Sequence, residues 1–324
     1  MKKVLGSLAV AGLLTGAVNA SEVNLKLPVD VHGGFSAGYS YEDSKKEGFE
    51  VTNFLIEFSK GANVGSIGFT AAFGYLANNA INPNLEASLT GDNFGFQYGY
   101  LTIKPIKGLT LDAGVLATLV GYEVANTYAN PNITISTQWA GQPVYYGGAR
   151  LTYDVMENIS LFGEINDDGN DGAWSVGSLG SLGVVDYVVS YYDKNDNKET
   201  NIFDIIISKT LNDNLDLAAD FDYQMGKDNN GYALAIYVIP KLGNISVPVR
   251  FETFDANNSG VFYLGDKGWD LALTPTYNFK SGYLRAEVFY YNYDKAVDFT
   301  TVKNKGYNRD KSNTVLRVEA GFTF

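Results

Sequence analysis

Short and long connections alternate along this chain, and few folds require that. Sixteen segments mix polar and apolar residues at a spacing of two: 31–42, 50–60, 66–77, 94–104, 109–117, 144–155, 159–166, 173–179, 184–193, 201–209, 215–225, 232–240, 245–255, 269–279, 283–294 and 313–324. Side chains on a strand alternate between faces, so each segment predicts a strand with two distinct faces. Seven connections are short: 61–65, 105–108, 156–158, 180–183, 210–214, 241–244 and 280–282. Those between them are mostly longer: 43–49, 78–93, 118–143, 167–172, 194–200, 226–231, 256–268 and 295–312. A soluble sandwich has no reason to keep this order. An outer-membrane barrel does, because its periplasmic turns are short, its outer loops are long and its strand number is even. The expected fold is all-β: a transmembrane antiparallel β-barrel of about sixteen strands. No linker, charge block or helical segment divides residues 21–324, which read as one barrel domain.

The two rows of each segment differ in kind. In 313–324, Leu316, Val318, Ala320, Phe322 and Phe324 share one row, and Arg317 and Glu319 lie on the other. In 215–225, Leu215, Leu217, Ala219, Phe221 and Tyr223 oppose Asp216, Asp220, Asp222 and Gln224. In 50–60, Thr52, Phe54, Ile56 and Phe58 oppose Asn53 and Glu57. Segment 94–104 is ambiguous, with apolar residues on both rows, and 173–179 is short. All nineteen lysines lie outside strand centres, whereas Arg150, Arg250, Arg285 and Arg317 lie mid-strand on the polar row. That row also carries Glu57, Asp112, Glu164, Asp186, Asp204, Asp216, Asp220, Asp222, Glu252, Glu287 and Glu319. Burying so many ions in a dry core would cost several kcal/mol each unless they were paired. A water-filled lumen removes the cost, while a mid-membrane arginine facing lipid would cost about 2–4 kcal/mol. These residues are therefore the candidate pore wall. Rings of acids favour cations, so the excess of acids predicts a modest cation preference. The competing reading is that the arginines pair with neighbouring acids and stiffen the wall.

The first twenty residues read as a secretory signal peptide. Lys2 and Lys3 precede an apolar stretch too short to span a membrane, and Val18-Asn19-Ala20 suits cleavage. Removing them leaves 304 residues, and the net charge of −12 becomes −14. An acidic chain with no basic patch is a poor nucleic-acid binder. The chain has no cysteine, which excludes disulfides and thiolate chemistry.

The longest connection, 118–143, reads TLVGYEVANTYANPNITISTQWAGQP. Glu123 is its only charge, and Tyr122, Tyr128, Ile133, Ile135 and Trp139 make it too apolar for a solvated loop. It is expected to fold into the barrel and narrow the pore, with Tyr122, Glu123, Tyr128 and Trp139 as constriction candidates. An outer cap or a contact with another subunit is the alternative. Catalysis has little support: His32 is the only histidine and no motif marks a nucleophile. Loops 166–172 and 193–199 resemble calcium loops loosely but lack the full twelve-residue pattern, so ordinary turn chemistry is expected.

Residues 100–132, YLTIKPIKGLTLDAGVLATLVGYEVANTYANPN, and 145–167, YYGGARLTYDVMENISLFGEIND, resemble the β-barrel porin-2 (OmpL-like) family. The matching positions are Lys107-Gly108-Leu109-Thr110, Ala113-Gly114, Thr118, Gly121-Tyr122-Glu123 and Asn130-Pro131. A Lys-Phe of the family is replaced by Val115-Leu116, a Pro by Leu119, and a His-Thr-Gly by Tyr145-Tyr146-Gly147. These departures remove positive charge near the expected constriction, so relatives do not set the ion preference. The resemblance implies an outer-membrane porin. Phe324 resembles the end signal read by the barrel-assembly machinery.

The expectation is a passive channel in the outer membrane, surrounded by lipid and passing small hydrophilic solutes or ions, with no cofactor. A homotrimer fits this strand number by analogy. The rivals are an adhesin or structural barrel without an open pore, and a barrel hydrolase.

Overall fold

The computed structural model describes residues 29–42, 48–76, 94–168, 172–195, 201–226, 230–257, 267–294 and 311–324. The expected signal peptide lies outside them. The first nine strands are β1 (Asp30–Glu42), β2 (Gly48–Lys60), β3 (Ser66–Leu76), β4 (Phe94–Lys104), β5 (Leu109–Ala117), β6 (Tyr145–Met156), β7 (Ile159–Asn166), β8 (Ala173–Ser181) and β9 (Asp186–Asp193). There follow β10 (Asn201–Asn212), β11 (Leu215–Met225), β12 (Asn230–Leu242), β13 (Ile245–Ser246), β14 (Val249–Asp255), β15 (Lys267–Leu273), β16 (Thr276–Phe279), β17 (Gly282–Tyr293) and β18 (Ser312–Thr323).

Every pairing is antiparallel; apart from the β1–β18 pairing, strands pair with their neighbours in the chain, except that β12 also pairs with β14, β13 with β16 and β15 with β17. That pairing closes the sheet, with Gly34 opposite Thr323 and Glu42 opposite Val315. At the seam Gly33 and Phe324 exchange backbone hydrogen bonds, both 3.0 Å. Pro248 separates β13 from β14, and Pro275 separates β15 from β16. Proline has no N–H to give a ladder, so each break lies within one stave. The carbonyls of Pro248 and Pro275 still accept from Thr274 N and Ala286 N. The described residues thus form a closed barrel of sixteen staves.

The barrel is apolar outside. Val318 and Leu284 are 48% exposed and Ile236 is 41% exposed, whereas Arg250 and Glu252 on the other face are fully buried. The apolar row therefore turns to lipid and the charged row turns inward.

Two bulges correct the reading of the rows. The β1–β2 register slips between Ser36 and Ala37, so Thr52 is the extra residue. Thr52 turns inward, where its hydroxyl donates to Glu319 at 2.7 Å, and Val51 takes the outward place. Thr52 does not belong with Phe54, Ile56 and Phe58. In β4 the slip lies at Gln97, between the partners of Ala72 and Phe73. Phe94 faces out and Phe96 meets Phe73, but beyond the bulge Tyr98 is buried inside and Leu101 faces out. A bulge reverses the parity of a strand, which is why both rows of 94–104 carry apolar residues.

Ile236 lies midway along β12 on the lipid face. Ile236→Arg is expected to destabilise the barrel by about 2–4 kcal/mol, and Leu182→Arg in a short turn by about 0–1 kcal/mol. Urea-dependent folding into lipid vesicles measures both.

Candidate functional site

Residues 118–143 leave β5, cross the lumen and return into β6. Thr118 N donates to Val144 O at 3.0 Å and closes the neck of the loop. Ile133, Ile135, Gln138 and Trp139 are buried. The only regular elements within it are 3-10 turns at Thr127–Ala129 and Gln138–Gly141. Irregular backbone inside a barrel still needs partners for its N–H and C=O groups. The wall supplies them, and the two signs of charge divide the work.

Acids accept from the loop's amides. Glu287 takes Ile133 N at 2.6 Å and Thr134 N at 2.9 Å. Glu252 takes Thr137 N and Gln138 N, both at 2.7 Å. Asp220 takes Tyr122 N at 2.8 Å. Arginines donate to the loop's carbonyls. Arg285 reaches Asn130 O and Thr127 O, both at 2.9 Å, and Arg250 reaches Thr134 O. Charge-assisted hydrogen bonds of this kind are about twice as strong as neutral ones. Asn130 braces the loop from within, accepting from Val124 N and donating to Val124 O.

Aromatic packing completes the fit. Tyr122 lies on Tyr237 with centroids 4.7 Å apart, and Tyr98 stacks on Tyr145 at 5.1 Å. Ala125, Ile135 and Trp139 form one cluster. Gly34 makes room for Tyr128, whose ring lies 2.8 Å from where a Cβ would stand. Gly121 has φ +90°, and a Cβ there would meet the Gln142 amide at 2.1 Å.

The arginines are tied to acids as well. Arg150 pairs with Glu164 at 2.5 Å and Arg285 with Glu319 at 2.6 Å. Arg250 meets Glu123 at 2.9 Å and Asp270 at 3.4 Å. Arg317, half-buried and opposite Glu287 in register, donates to Thr134 Oγ1 at 3.0 Å. The sequence places these charges against water, and for many of them the structure differs. Glu164, Asp220, Asp222, Glu252, Glu287, Glu319, Arg150, Arg250 and Arg285 are buried, because the loop or a paired ion takes the place of solvent, and Asp204 is buried across from Asp222 beside Ser190.

Glu57, Asp112 and Asp216 remain half-exposed near the short-turn ends of their strands, and Asp186 is exposed there. Glu57 accepts from Tyr98 OH, Asp112 from Thr102 Oγ1, and Asp216 pairs with Lys241. His32 is exposed at the same end, opposite Glu57 in register. In loop 166–172 the described residues make turn contacts, with Asp168 N donating to Asn166 Oδ1. Asn195 N donates to Asp193 Oδ1 beside 193–199. The remaining residues of both loops lie outside the described ones. Asp270 was not among the expected wall charges, although it alternates with Trp269, Leu271 and Leu273 as the others do with their neighbours.

Arg250→Ala would leave Glu123 and Asp270 buried without their cation. A loss of about 3–5 kcal/mol is expected in urea unfolding, partly recovered when Glu123→Gln is added. Glu287→Ala would strip acceptors from Ile133 N and Thr134 N. Faster proteolysis within 118–143 is expected, with the barrel intact by heat-modified gel mobility.

Comparison with known proteins agrees with this geometry. OmpT of Vibrio cholerae, in its trimer form, superposes with TM-score 0.62 at 11% identity, over 91% of this chain and 99% of that one. The outer membrane channel DcaP of Acinetobacter baumannii gives 0.60 at 11%, over 91% and 97%. A mutant of the Rh. blastica porin gives 0.58 at 13%, over 91% and 100%. At these identities the likeness is one of fold. No curated protein matches by sequence. The family described as "Putative beta-barrel porin-2, OmpL-like" matches residues 11–324. A match over nearly the whole length means that this chain belongs to that family of β-barrel porins.

Proposed function

We propose that the protein is an outer-membrane porin through which small hydrophilic solutes and ions diffuse passively. The observation that carries this reading is the loop held across a closed barrel whose lower wall stays polar and half-exposed. Glu57, Thr102, Asp112, Thr152 and Asp216 line that lower wall on inward rows. Loop 118–143 is the constriction, with Tyr122, Glu123, Tyr128 and Trp139 fixing its shape. Acids outnumber arginines among the inward residues, which gives a weak cation preference. The protein is not an enzyme in this reading and needs no cofactor. Export by the signal peptide and insertion by the barrel-assembly machinery bring it to the outer membrane. A homotrimer is proposed by analogy with the trimer form of OmpT.

Planar-bilayer recording tests the reading. Stepwise conductance is expected, and deletion of residues 122–139 should raise it. A salt gradient should give a reversal potential of cation-selective sign. The double change Glu57→Gln with Asp112→Asn should move that potential toward zero, because both charges are half-exposed. An absence of steps would favour the second reading, an adhesin or structural barrel without an open pore. The burial of Gln138 and Trp139 at the loop's crossing is the observation on that side. The barrel-hydrolase reading has only His32 to rest on, and an activity lost in His32→Ala would revive it.

A further inference from the structure

We propose that Asp204, Asp220 and Asp222 form a divalent-cation site, of the calcium type, that ties both ends of the inward loop to the β10–β11 wall. Asp204 lies directly across from Asp222, and Asp220 is the next inward residue along β11. One carboxylate oxygen from each lies within 4.8 Å of the others. Two oxygens that share a calcium ion at about 2.4 Å are separated by no more than about 4.8 Å, so the spacing fits one ion.

Among the described residues the triad differs from every other buried acid of the lumen. Glu123, Glu164, Asp270 and Glu319 each face an arginine. Glu252 and Glu287 each fill both oxygens with loop amides. The triad has only neutral donors: Tyr122 N and the Gln138 amide to Asp220, Gln142 Nε2 to Asp222 and Ser190 Oγ to Asp204. Each of the three aspartates keeps an Oδ1 with no hydrogen bond, and all are at most 1% exposed. Three carboxylates this close repel one another and lack a cation in a place without solvent.

Two buried glutamines flank the triad. Gln224 is the next inward residue after Asp222, and Gln138 lies beside Asp220. Both are fully buried; the Gln138 amide N–H faces the Asp220 carboxylate, while the Gln138 amide oxygen and both amide atoms of Gln224 have no hydrogen bond. Amide carbonyl oxygens are calcium ligands, and with the three carboxylates they approach the six to eight oxygens that calcium takes. Magnesium holds its waters and demands tight octahedral geometry, which a dry cluster on two strands suits poorly. The consequence reaches the loop. Tyr122 stands at its start and Gln142 at its end, and both bond to the triad. A bound ion would therefore fix the neck of the loop and remove two negative charges from the lumen.

The site does not rest on the channel reading, because binding is measured without conductance. Full-length protein folded in detergent is titrated with calcium chloride by calorimetry and with terbium by luminescence. Saturable binding of one ion is expected, with calcium displacing terbium and magnesium failing to do so at equal concentration. The double change Asp204→Asn with Asp222→Asn should weaken binding at least tenfold in a barrel that keeps its heat-modified gel mobility. No saturable binding by the wild-type protein, or equal binding by the folded variant, overturns the proposal. Should the variant not fold, the wild-type protein decides alone: calcium is expected to slow proteolysis within 118–143 and a chelator to restore it. Cleavage indifferent to both overturns the site.

Discussion

A backbone amide in hydrocarbon has no water to bond, so no strand edge can be left open across a membrane. The pairing of β1 with β18 meets this constraint, and the rest of the structure depends on it. Once the ring is closed, one face of every strand must meet lipid and the other must meet whatever fills the ring. Leu284, Val318 and Ile236 take the first face; Arg250, Glu252 and Glu287 take the second. The prolines at 248 and 275 interrupt the ladder without opening it, since flanking carbonyls and amides still bond across the break.

Inside the ring the governing problem is the backbone of the loop. Its amides need acceptors and its carbonyls need donors, and solvent does not reach them. Carboxylates of β11, β14 and β17 serve the amides, and the guanidiniums of Arg250 and Arg285 serve the carbonyls. Charge in this lumen is therefore structural before it is electrostatic. Most of the buried charges hold the loop or pair along the wall, while Glu57, Asp112, Asp186 and Asp216, nearer the short turns, stay in contact with solvent. Only the latter group resembles a wall that a passing ion would sense directly.

Much of the fold was legible because strand alternation is local. The parity of Leu215–Tyr223 against Asp216–Asp222 needs no knowledge of the neighbouring strand. Where the structure departs from that reading, a bulge is the cause. Gln97 and Thr52 each add a residue against a partner strand, and a bulge belongs to the pair of strands rather than to either sequence. Asp270 shows a different gap. Its alternation was visible, but nothing local marks it as a partner of Arg250, twenty residues away across the β14–β15 pair.

The sequence by itself determined the strand number, the outward row wherever no bulge intervenes, and the identity of the one connection too apolar to sit in solvent. These follow from side-chain period and composition, which a segment carries within itself. Tertiary structure alone decided which charges keep their water and which are spent on the loop. That choice depends on contacts such as Ile133 with Glu287 and Tyr122 with Asp220, separated by 154 and 98 residues. Such distances in the chain close only when the barrel does, because the ring brings opposite walls within reach of one loop.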